Sequence, residues 1–259
     1  MPNSNYTVLG KGSEFDGMSI EQWTESWWQW AMQLPSGEDK NPFQEDHFSF
    51  NADAGDVGDV FFLAGIAGTD EDNTPDIADA ERTILVSSKD TILLPVLNWA
   101  ESLPNLLDDA SADPSANIDA VSNWVNGIKN AVTDAFVEID GEKIFDYDPM
   151  TPSNAEDYYV QTDPLDPFSL GTVEPGDLGY DEFGQGPAGV PQEPALAGGW
   201  WVAIQDLSLG KHEVTFGGTI DFDPNTEGVD FSLNITDTIY VLPPGIYKVA
   251  ESGLDFLCG

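Results

Sequence analysis

Basic residues are scarce in this sequence of 259 residues. It holds 8 lysines and arginines in total, and Arg82 is its only arginine. Nucleic acids and anionic membrane surfaces bind proteins through patches of lysine and arginine, which offset the charge of phosphate groups. The composition therefore excludes both classes of partner.

Cysteine and long apolar runs are also nearly absent. The single cysteine, Cys258, has no second thiol with which to form an internal disulfide. No apolar run reaches the roughly 20 residues that a membrane-spanning helix needs. The first residues lack the basic and then apolar pattern of a secretory signal, so we expect any export signal to lie outside this sequence or away from its start.

Negative charge is what the sequence has in excess. The 47 aspartates and glutamates give a formal net charge of −39, which would destabilise a compact state at low ionic strength. Aspartate outnumbers glutamate, and aspartate favours loops and metal-binding turns. The composition indicates either calcium-rich or saline surroundings outside the cell, or a solvated surface adapted to high salt, and both interpretations stay open.

Four of the eight tryptophans lie close together, within residues 19–34. Their spacing of three and four, together with the neighbouring apolar residues, predicts a helix. On this helix Trp23, Trp27 and Trp30 share the apolar face, whereas Trp28 points about 100° away. We therefore expect the first three in the core and Trp28 at the surface, where it is available to a ligand.

The rest of the chain is mostly strand in its hydrophobic pattern. Strands are predicted at 57–67, 82–86, 91–97, 199–204, 211–220, 229–242 and 246–250. Helical spacing covers 116–137, and the Asp-Gly pair that follows predicts a hairpin. We predict one mainly β domain over 1–259, an antiparallel, jelly-roll-like β-sandwich with helical insertions near 19–34 and 116–137. A long irregular loop is expected at about 147–197.

Several pieces, in their order along the chain, resemble an uncharacterised family of exported bacterial proteins. They are the tryptophan-rich helix, FFLAG at 61–65, Arg82 followed by LLPVLN at 93–98, and GGWW at 198–201 followed by GKHEVTFGG at 210–218. The resemblance implies a mostly β exported domain and supplies neither an activity nor catalytic residues. It also implies cysteines near positions 50 and 84, where this sequence has none, so we expect no such disulfide.

Acidic turns are the candidate metal sites. The two sets are Asp221, Asp223, Asn225 and Glu227 in one turn, and Asp70, Asp72 and Asp76 in an acidic loop predicted at 69–80. Side-chain oxygens at alternate positions of a turn point to one side, as a hard cation requires, so calcium is the expected cofactor. The first set departs from an EF-hand at Thr226 and Ser232, and a plain solvated turn is the alternative.

Aromatic residues and the single arginine are the candidate ligand-binding residues. Trp200 and Trp201 face opposite sides of a predicted strand, so we expect one in the core and the other, like Trp28, available to a ligand such as a glycan. Arg82 is either a clamp for an anionic ligand group or a structural ion pair. No serine or cysteine motif accompanies His212, so we expect no catalytic triad.

The sequence therefore favours a non-enzymatic exported protein that acts in extracellular binding or assembly and is stabilised by cations. One alternative is a glycan hydrolase with two catalytic carboxylates, or a carbohydrate-binding module. The other is a self-assembling filament or surface-layer subunit, in which strand edges pair between copies of the chain. The expected partners are an extracellular glycan or a second copy of the chain.

Overall fold

A computed structural model describes residues 6–37, 43, 56–65, 76–108, 113–151, 153–222 and 231–250. The strands are β1 (Thr7–Leu9), β2 (Glu14–Phe15), β3 (Met18–Ser19), β4 (Asp56–Val57), β5 (Val60–Phe62), β6 (Asp76–Ser87), β7 (Thr91–Ser102), β8 (Val132–Ile139), β9 (Glu142–Tyr147), β10 (Tyr159–Gln161), β11 (Ala195–Gln205), β12 (Gly210–Ile220) and β13 (Phe231–Leu242). The helices are α1 (Ile20–Met32), α2 (Leu103–Asp108), α3 (Ile118–Ala131) and α4 (Leu178–Asp181), with a 3-10 turn at Ala155–Asp157 and helical residues at 244–250. The chain is mainly β, as the sequence predicts.

The strands form two large sheets and one small hairpin, β2-β3. Sheet 1 has the order β1-β11-β7-β5-β4, with β10 also paired to β11, and sheet 2 has the order β6-β13-β12-β8-β9. The prediction of an antiparallel arrangement is wrong for two pairs, because β5 with β7 and β13 with β6 are parallel. The chain leaves sheet 1 after β5, forms β6 in sheet 2 and returns as β7, which therefore runs in the direction of β5.

Sheet 1 is buried on both faces. Successive side chains of a strand point to opposite faces. In β11, Trp200 packs into a cluster shared with sheet 2, whereas Trp201 packs into a second cluster under α1. The shared cluster takes Val202 from sheet 1, and Phe216 and Ile239 from sheet 2. Burial on both faces explains why β7 and β11 are nearly continuous apolar runs in the sequence.

Helix α1 confirms the predicted tryptophan-rich helix. The Ser19 hydroxyl accepts a hydrogen bond from the backbone N–H of Gln22, and the Gln22 side chain accepts one from the Ser19 N–H. This capping box pairs two backbone donors that a helix start otherwise leaves without partners. Further along, the indole N–H of Trp27 donates to the carbonyl of Leu63 at 2.9 Å, which fixes α1 to the residue that follows β5.

The second predicted helix, at 116–137, is shorter than expected. Helix α3 ends at Ala131, and β8 begins at the next residue, Val132. Beyond that point the buried residues include Ala135 and Val137, which alternate with more exposed ones and pair with β12. The apolar residues in this stretch fit both the period of a helix, 3.6 residues, and the period of a strand, two residues. The β-branched valines and the partner strand favour β structure.

Three further boundaries differ from the prediction for local reasons. The predicted strand at 57–67 is interrupted after β4 by a turn at Gly58, whose φ is 72°. Residues 76–80, expected in an acidic loop, begin β6 instead. Residues 246–250, predicted as a strand, are helical, since Pro244 stands in the first helical turn, where its fixed φ favours a helix.

The predicted Asp-Gly hairpin is confirmed. Asp140 and Gly141 join β8 to β9 with φ values of 51° and 75°, the two positive values that a type I′ turn requires. The Asp140 carboxylate also accepts the backbone N–H of Glu213 at 2.9 Å. The turn is therefore tied to β12.

Residues 148–194 connect β9 in sheet 2 to β11 in sheet 1. Besides the 3-10 turn, they hold β10 and α4 as regular elements. Val160, Leu170, Val173 and Leu178 of this segment are fully buried in the cluster beneath α1. The segment is irregular in backbone, but these four side chains are fixed by packing, and α4 packs directly against α1.

Candidate functional site

A cavity of about 270 Å³ lies at the edge of sheet 1, where β7 continues beyond its short neighbour β5. The pairing of β5 with β7 reaches Leu93, and the described residues provide no strand partner on that side of β7 beyond it. Five residues of β7 between Pro95 and Ala100 line the cavity, together with residues of α1, of the stretch after α4 and of the start of β13. Those of β7 are Pro95, Leu97, Asn98, Trp99 and Ala100, and those after α4 are Glu182, Phe183 and Gln185. Proline has no N–H to leave unpaired, so it suits such an edge.

Four aromatic rings of the cavity wall form a closed cycle of contacts. Trp27 contacts Trp28, Trp28 contacts Phe183, Phe183 contacts Phe43, and Phe43 contacts Trp27. The ring centroids are 5.1, 5.9, 5.5 and 5.7 Å apart, and the ring planes meet at 88°, 72°, 80° and 66°. At such steep angles the edge of one ring packs against the face of its neighbour. We call these four residues the aromatic box.

Three residues that line the cavity each carry a buried side-chain polar atom that has no hydrogen-bond partner among the described residues. These atoms are Nε1 of Trp28, Nδ2 of Asn98 and Oε1 of Gln185. Trp28 is 6% exposed and Gln185 is 5% exposed. Buried polar groups are nearly always paired, because leaving one unpaired costs about 1–3 kcal/mol. Two donors and an acceptor around one aromatic cavity are typical of a small-molecule site.

The charge of the cavity wall is negative. Glu182 lines the cavity, and no lysine, arginine or histidine is among the described residues that do so. The whole chain adds a field of the same sign, since its formal net charge is −39. Both effects disfavour an anionic ligand.

Close packing against α1 positions the wall that carries Phe183 and Gln185. The Gln185 N–H donates to the carbonyl of Gly179, in α4, at 2.8 Å. A Cβ atom at Gly179 would lie 2.8 Å from both the backbone oxygen and the sulfur of Met32. Only a residue without a Cβ lets α4 approach α1 this closely.

A buried polar network holds the residue that follows Gln185. One carboxylate oxygen of Glu101 accepts the Ser102 N–H and the Asn105 side-chain N–H, both at 2.8 Å. The Asn105 side-chain oxygen in turn accepts the Gly186 N–H at 3.0 Å. Burial raises the pKa of Glu101, and these hydrogen bonds oppose that shift. The network thus joins β7 and α2 to the cavity wall.

The structure places the predicted ligand-binding tryptophans inside the protein. Trp28 lines the cavity, but the expectation that it lies at the surface is wrong, because Phe183 covers that side of α1. Trp30, expected in the core, is only half-buried. Trp200 and Trp201 are both 0% exposed, so the expectation that one faces outward is also wrong, since both faces of sheet 1 are covered.

Arg82 forms a buried ion pair with a distant carboxylate. Its Nε and Nη2 donate to the two carboxylate oxygens of Asp237 at 2.7 and 2.8 Å, and the side chains are 1% and 0% exposed. Burial raises the pKa of Asp237, and the charge of Arg82 opposes that shift. The guanidinium also donates to the carbonyls of Ala64 and Gly65, at 2.7 and 3.1 Å. Of the two expectations for Arg82, the structural ion pair is therefore the one observed. The hydrogen bond from Arg82 also holds Gly65 at the cavity wall.

Most of the predicted metal ligands lie outside the described residues. These are Asp70, Asp72, Asp223, Asn225 and Glu227. Asp221 follows β12 and donates its N–H to the carbonyl of Ala131 at 2.8 Å, and Asp76 begins β6 opposite Phe231. Where the chain is described, no group of three or more histidines, cysteines, aspartates or glutamates could hold a metal ion. The calcium site stays a prediction.

One constellation that sequence reasoning missed brings together Ser208, His212 and Asp140. The imidazole Nδ1 lies 2.7 Å from Oδ2 of Asp140, and Nε2 lies 3.2 Å from Oγ of Ser208. The same Nε2 lies 2.8 Å from the backbone oxygen of Ser208. A carbonyl oxygen only accepts hydrogen bonds, so at this distance the nitrogen must carry a hydrogen that it donates. A catalytic base instead needs a free lone pair on that nitrogen to take the proton of the serine. The cluster therefore joins two turns and does not activate the serine.

Comparison with protein-family models, with curated proteins and with solved structures finds no match to this chain. The resemblance to exported bacterial proteins therefore rests only on the sequence pieces quoted above. Over the described ranges, no helix combines the length and the apolar character needed to cross a membrane.

The cavity residues that sequence reasoning missed include Asn98, Phe43, Glu182, Phe183 and Gln185. Asn98 had a usable signal, because it is the one polar residue within the apolar run of β7 from Ile92 to Ala100. The others lie in stretches without hydrophobic periodicity. Only the packing of those stretches against α1 brings them to the cavity.

Proposed function

We propose that this protein binds a small organic molecule in the cavity beside α1. The observation that carries the proposal is that three residues lining one aromatic cavity, Trp28, Asn98 and Gln185, each carry a buried polar atom without a partner among the described residues. A wall of aromatic faces with a few polar groups that fix orientation is how proteins bind small ligands. The volume of about 270 Å³ is near the lower end of such sites, which favours a small ligand over a long glycan.

The frame that we propose for this site is a jelly-roll-like β-sandwich. Support comes from the cluster of buried side chains that sheets 1 and 2 share. The proposed location is extracellular or at the cell surface, in saline or calcium-rich surroundings, where cations stabilise the fold. The net charge of −39 supports this location, because mobile cations screen the repulsion between carboxylates.

Ligand-observed NMR with a library of small neutral, cationic and anionic organic molecules tests the binding function. We expect hits whose affinity falls about tenfold or more in Asn98→Ala and in Gln185→Ala, since one buried hydrogen bond contributes about 1.5 kcal/mol. Asn126→Ala is the matched control, because it removes an amide from the exposed side of α3. A library without hits, or equal losses in the control variant, would contradict the proposal.

A further inference from the structure

We infer that His212 is doubly protonated at neutral pH and acts as a pH-dependent clip between two turns. The histidine clip consists of His212, Asp140 in the hairpin turn between β8 and β9, and Ser208 in the connection from β11 to β12. The clip is closed while both ring nitrogens carry a proton, and it opens when the ring loses one proton to solvent. This inference goes beyond ligand binding in the cavity and does not depend on it.

Both ring nitrogens of His212 face oxygen atoms that accept hydrogen bonds. Nδ1 lies 2.7 Å from Oδ2 of Asp140, and Nε2 lies 2.8 Å from the backbone oxygen of Ser208, closer than the Ser208 hydroxyl at 3.2 Å. A neutral imidazole has one N–H and one lone pair, so either neutral form sets a lone pair against one of these oxygens. The imidazolium donates to both. An imidazole is a stronger base than a carboxylate, so the proton between Nδ1 and Asp140 lies on the nitrogen.

The surroundings of His212 also favour the charged ring. Its side chain is 9% exposed. A buried charge is tolerated when it is paired and hydrogen-bonded, and both N–H groups of this ring have a partner. The charged side chains of the two turns are negative, because Asp206 lies in the same connection as Ser208, and Glu142 follows the hairpin turn that holds Asp140. Nearby negative charge stabilises a cation.

The other titratable side chains near the clip do not compete with His212 for these contacts. Lys211 and Glu213 flank His212 in β12, and Tyr240 lies opposite Lys211 in β13. Because successive side chains of a strand alternate, these three point to the other face of sheet 2. Burial, together with the charges of two nearby carboxylates, raises the pKa of Tyr6 to about 12. Tyr6 therefore stays neutral while the histidine titrates.

The clip ties the connection that arrives from sheet 1 to the end of sheet 2. Asp140 is itself fixed to β12, because its backbone N–H donates to the carbonyl of Glu213 at 2.8 Å and its carboxylate accepts the Glu213 N–H at 2.9 Å. When His212 loses a proton, we expect it to leave Nε2, since the hydrogen bond from Nδ1 to the carboxylate is the stronger one. Nε2 then sets a lone pair against the Ser208 carbonyl, and residues 206–209 separate from the ring.

Nitrogen-15 NMR of the histidine ring tests the inference, because a ring nitrogen with a proton differs in chemical shift from one with a lone pair. The variant His47→Gln leaves His212 as the only histidine of the chain. At pH 7 we expect a proton on both of its ring nitrogens. As pH rises, Nε2 should lose its proton, and the heteronuclear NOE of residues 206–209 should fall over the same pH range while that of Glu213 stays unchanged.

Asp140→Asn changes the expected protonation without removing the contact. Asparagine also adopts the positive φ of this position, 51°, and its amide can accept the Glu213 N–H and donate to Nδ1. In this variant Nδ1 should carry no proton at pH 7, and residues 206–209 should no longer respond to rising pH. Asp206→Asn is the matched control, because it removes the same charge from an exposed position of the connection and should keep both protons.

Two results would overturn the inference at different steps. A ring that is mainly neutral at pH 7, or one that keeps both protons in Asp140→Asn, would show that Asp140 does not hold the charge. A ring that loses its proton while the NOE of residues 206–209 stays constant would show that the contact is no clip.

Discussion

Replacing Arg82 by methionine keeps a long side chain in the core but removes the guanidinium. Asp237 then stays buried, at 0% exposure, without its opposite charge. Removing one partner of a buried ion pair costs about 3–5 kcal/mol, because the remaining charge has no water to solvate it. The carbonyls of Ala64 and Gly65 lose their donor as well. The free energy of unfolding of a protein domain is about 5–15 kcal/mol, so this loss should be a large share of the stability of the protein.

Urea titration followed by tryptophan fluorescence measures this loss. The double variant Arg82→Met with Asp237→Leu removes both charges, so it should unfold at a higher urea concentration than Arg82→Met alone. Ligand binding in the cavity gives a second readout, because Gly65 lines the cavity and its carbonyl accepts a hydrogen bond from Arg82. A loss below about 1 kcal/mol, or a double variant whose cost equals the sum of the single costs, would refute the buried ion pair as a stabilising unit.

Three further measurements test the fold and its charge. Trp27→Ala and Trp28→Ala should each lower the free energy of unfolding by about 3–5 kcal/mol, and Trp30→Ala by less because its ring is half-buried; equal costs in urea titrations would contradict the packing of α1. Burial raises the pKa of Glu101 in the folded state, so its contribution to stability is complete below the unfolded pKa and is lost as pH rises through the folded pKa. Melting temperature should therefore rise as pH is lowered through the folded pKa towards the unfolded one, and Glu101→Gln should show a shallower slope. Melting temperature should fall at low ionic strength, because repulsion between carboxylates is then less screened. If calcium binds the predicted turn, calcium should raise the melting temperature more than sodium chloride of the same ionic strength does, and Asp223→Asn should remove this difference. Identical melting temperatures in calcium and in sodium chloride would show that screening alone acts.

Local sequence signals predicted the elements that depend on neighbouring residues. The position of α1 follows from the cap at Ser19 and from the spacing of its tryptophans, both of which act within a few residues. The hairpin at Asp140 and Gly141 follows from the Asp-Gly pair, because this pair adopts the two positive φ values that the turn requires. The end of α3 at Ala131 could not be predicted in this way, because the residues after it suit both periods and only the neighbouring β12 makes them a strand.

The candidate site was only partly predictable, because it is assembled from distant parts of the chain. Helical geometry places Trp28 about 100° from Trp27 around α1, but it could not show that Phe183, far along the chain, covers that second face. For the same reason Trp201 is buried, although its strand alone suggested a free side. A periodic pattern tells which side chains point together and says nothing of what packs against the other side.

The unpaired indole of Trp28 indicates function because of its surroundings. Trp27 and Trp99 donate their indole N–H groups to backbone carbonyls at 2.9 and 3.0 Å, so the fold pairs such donors where a carbonyl is in reach. Within the described part of the chain the indole nitrogens of Trp200 and Trp201 also have no partner, but neither residue lines the cavity. At Trp28 two unpaired side-chain amides border the same cavity. A ligand that pairs all three would offset about 1–3 kcal/mol for each atom.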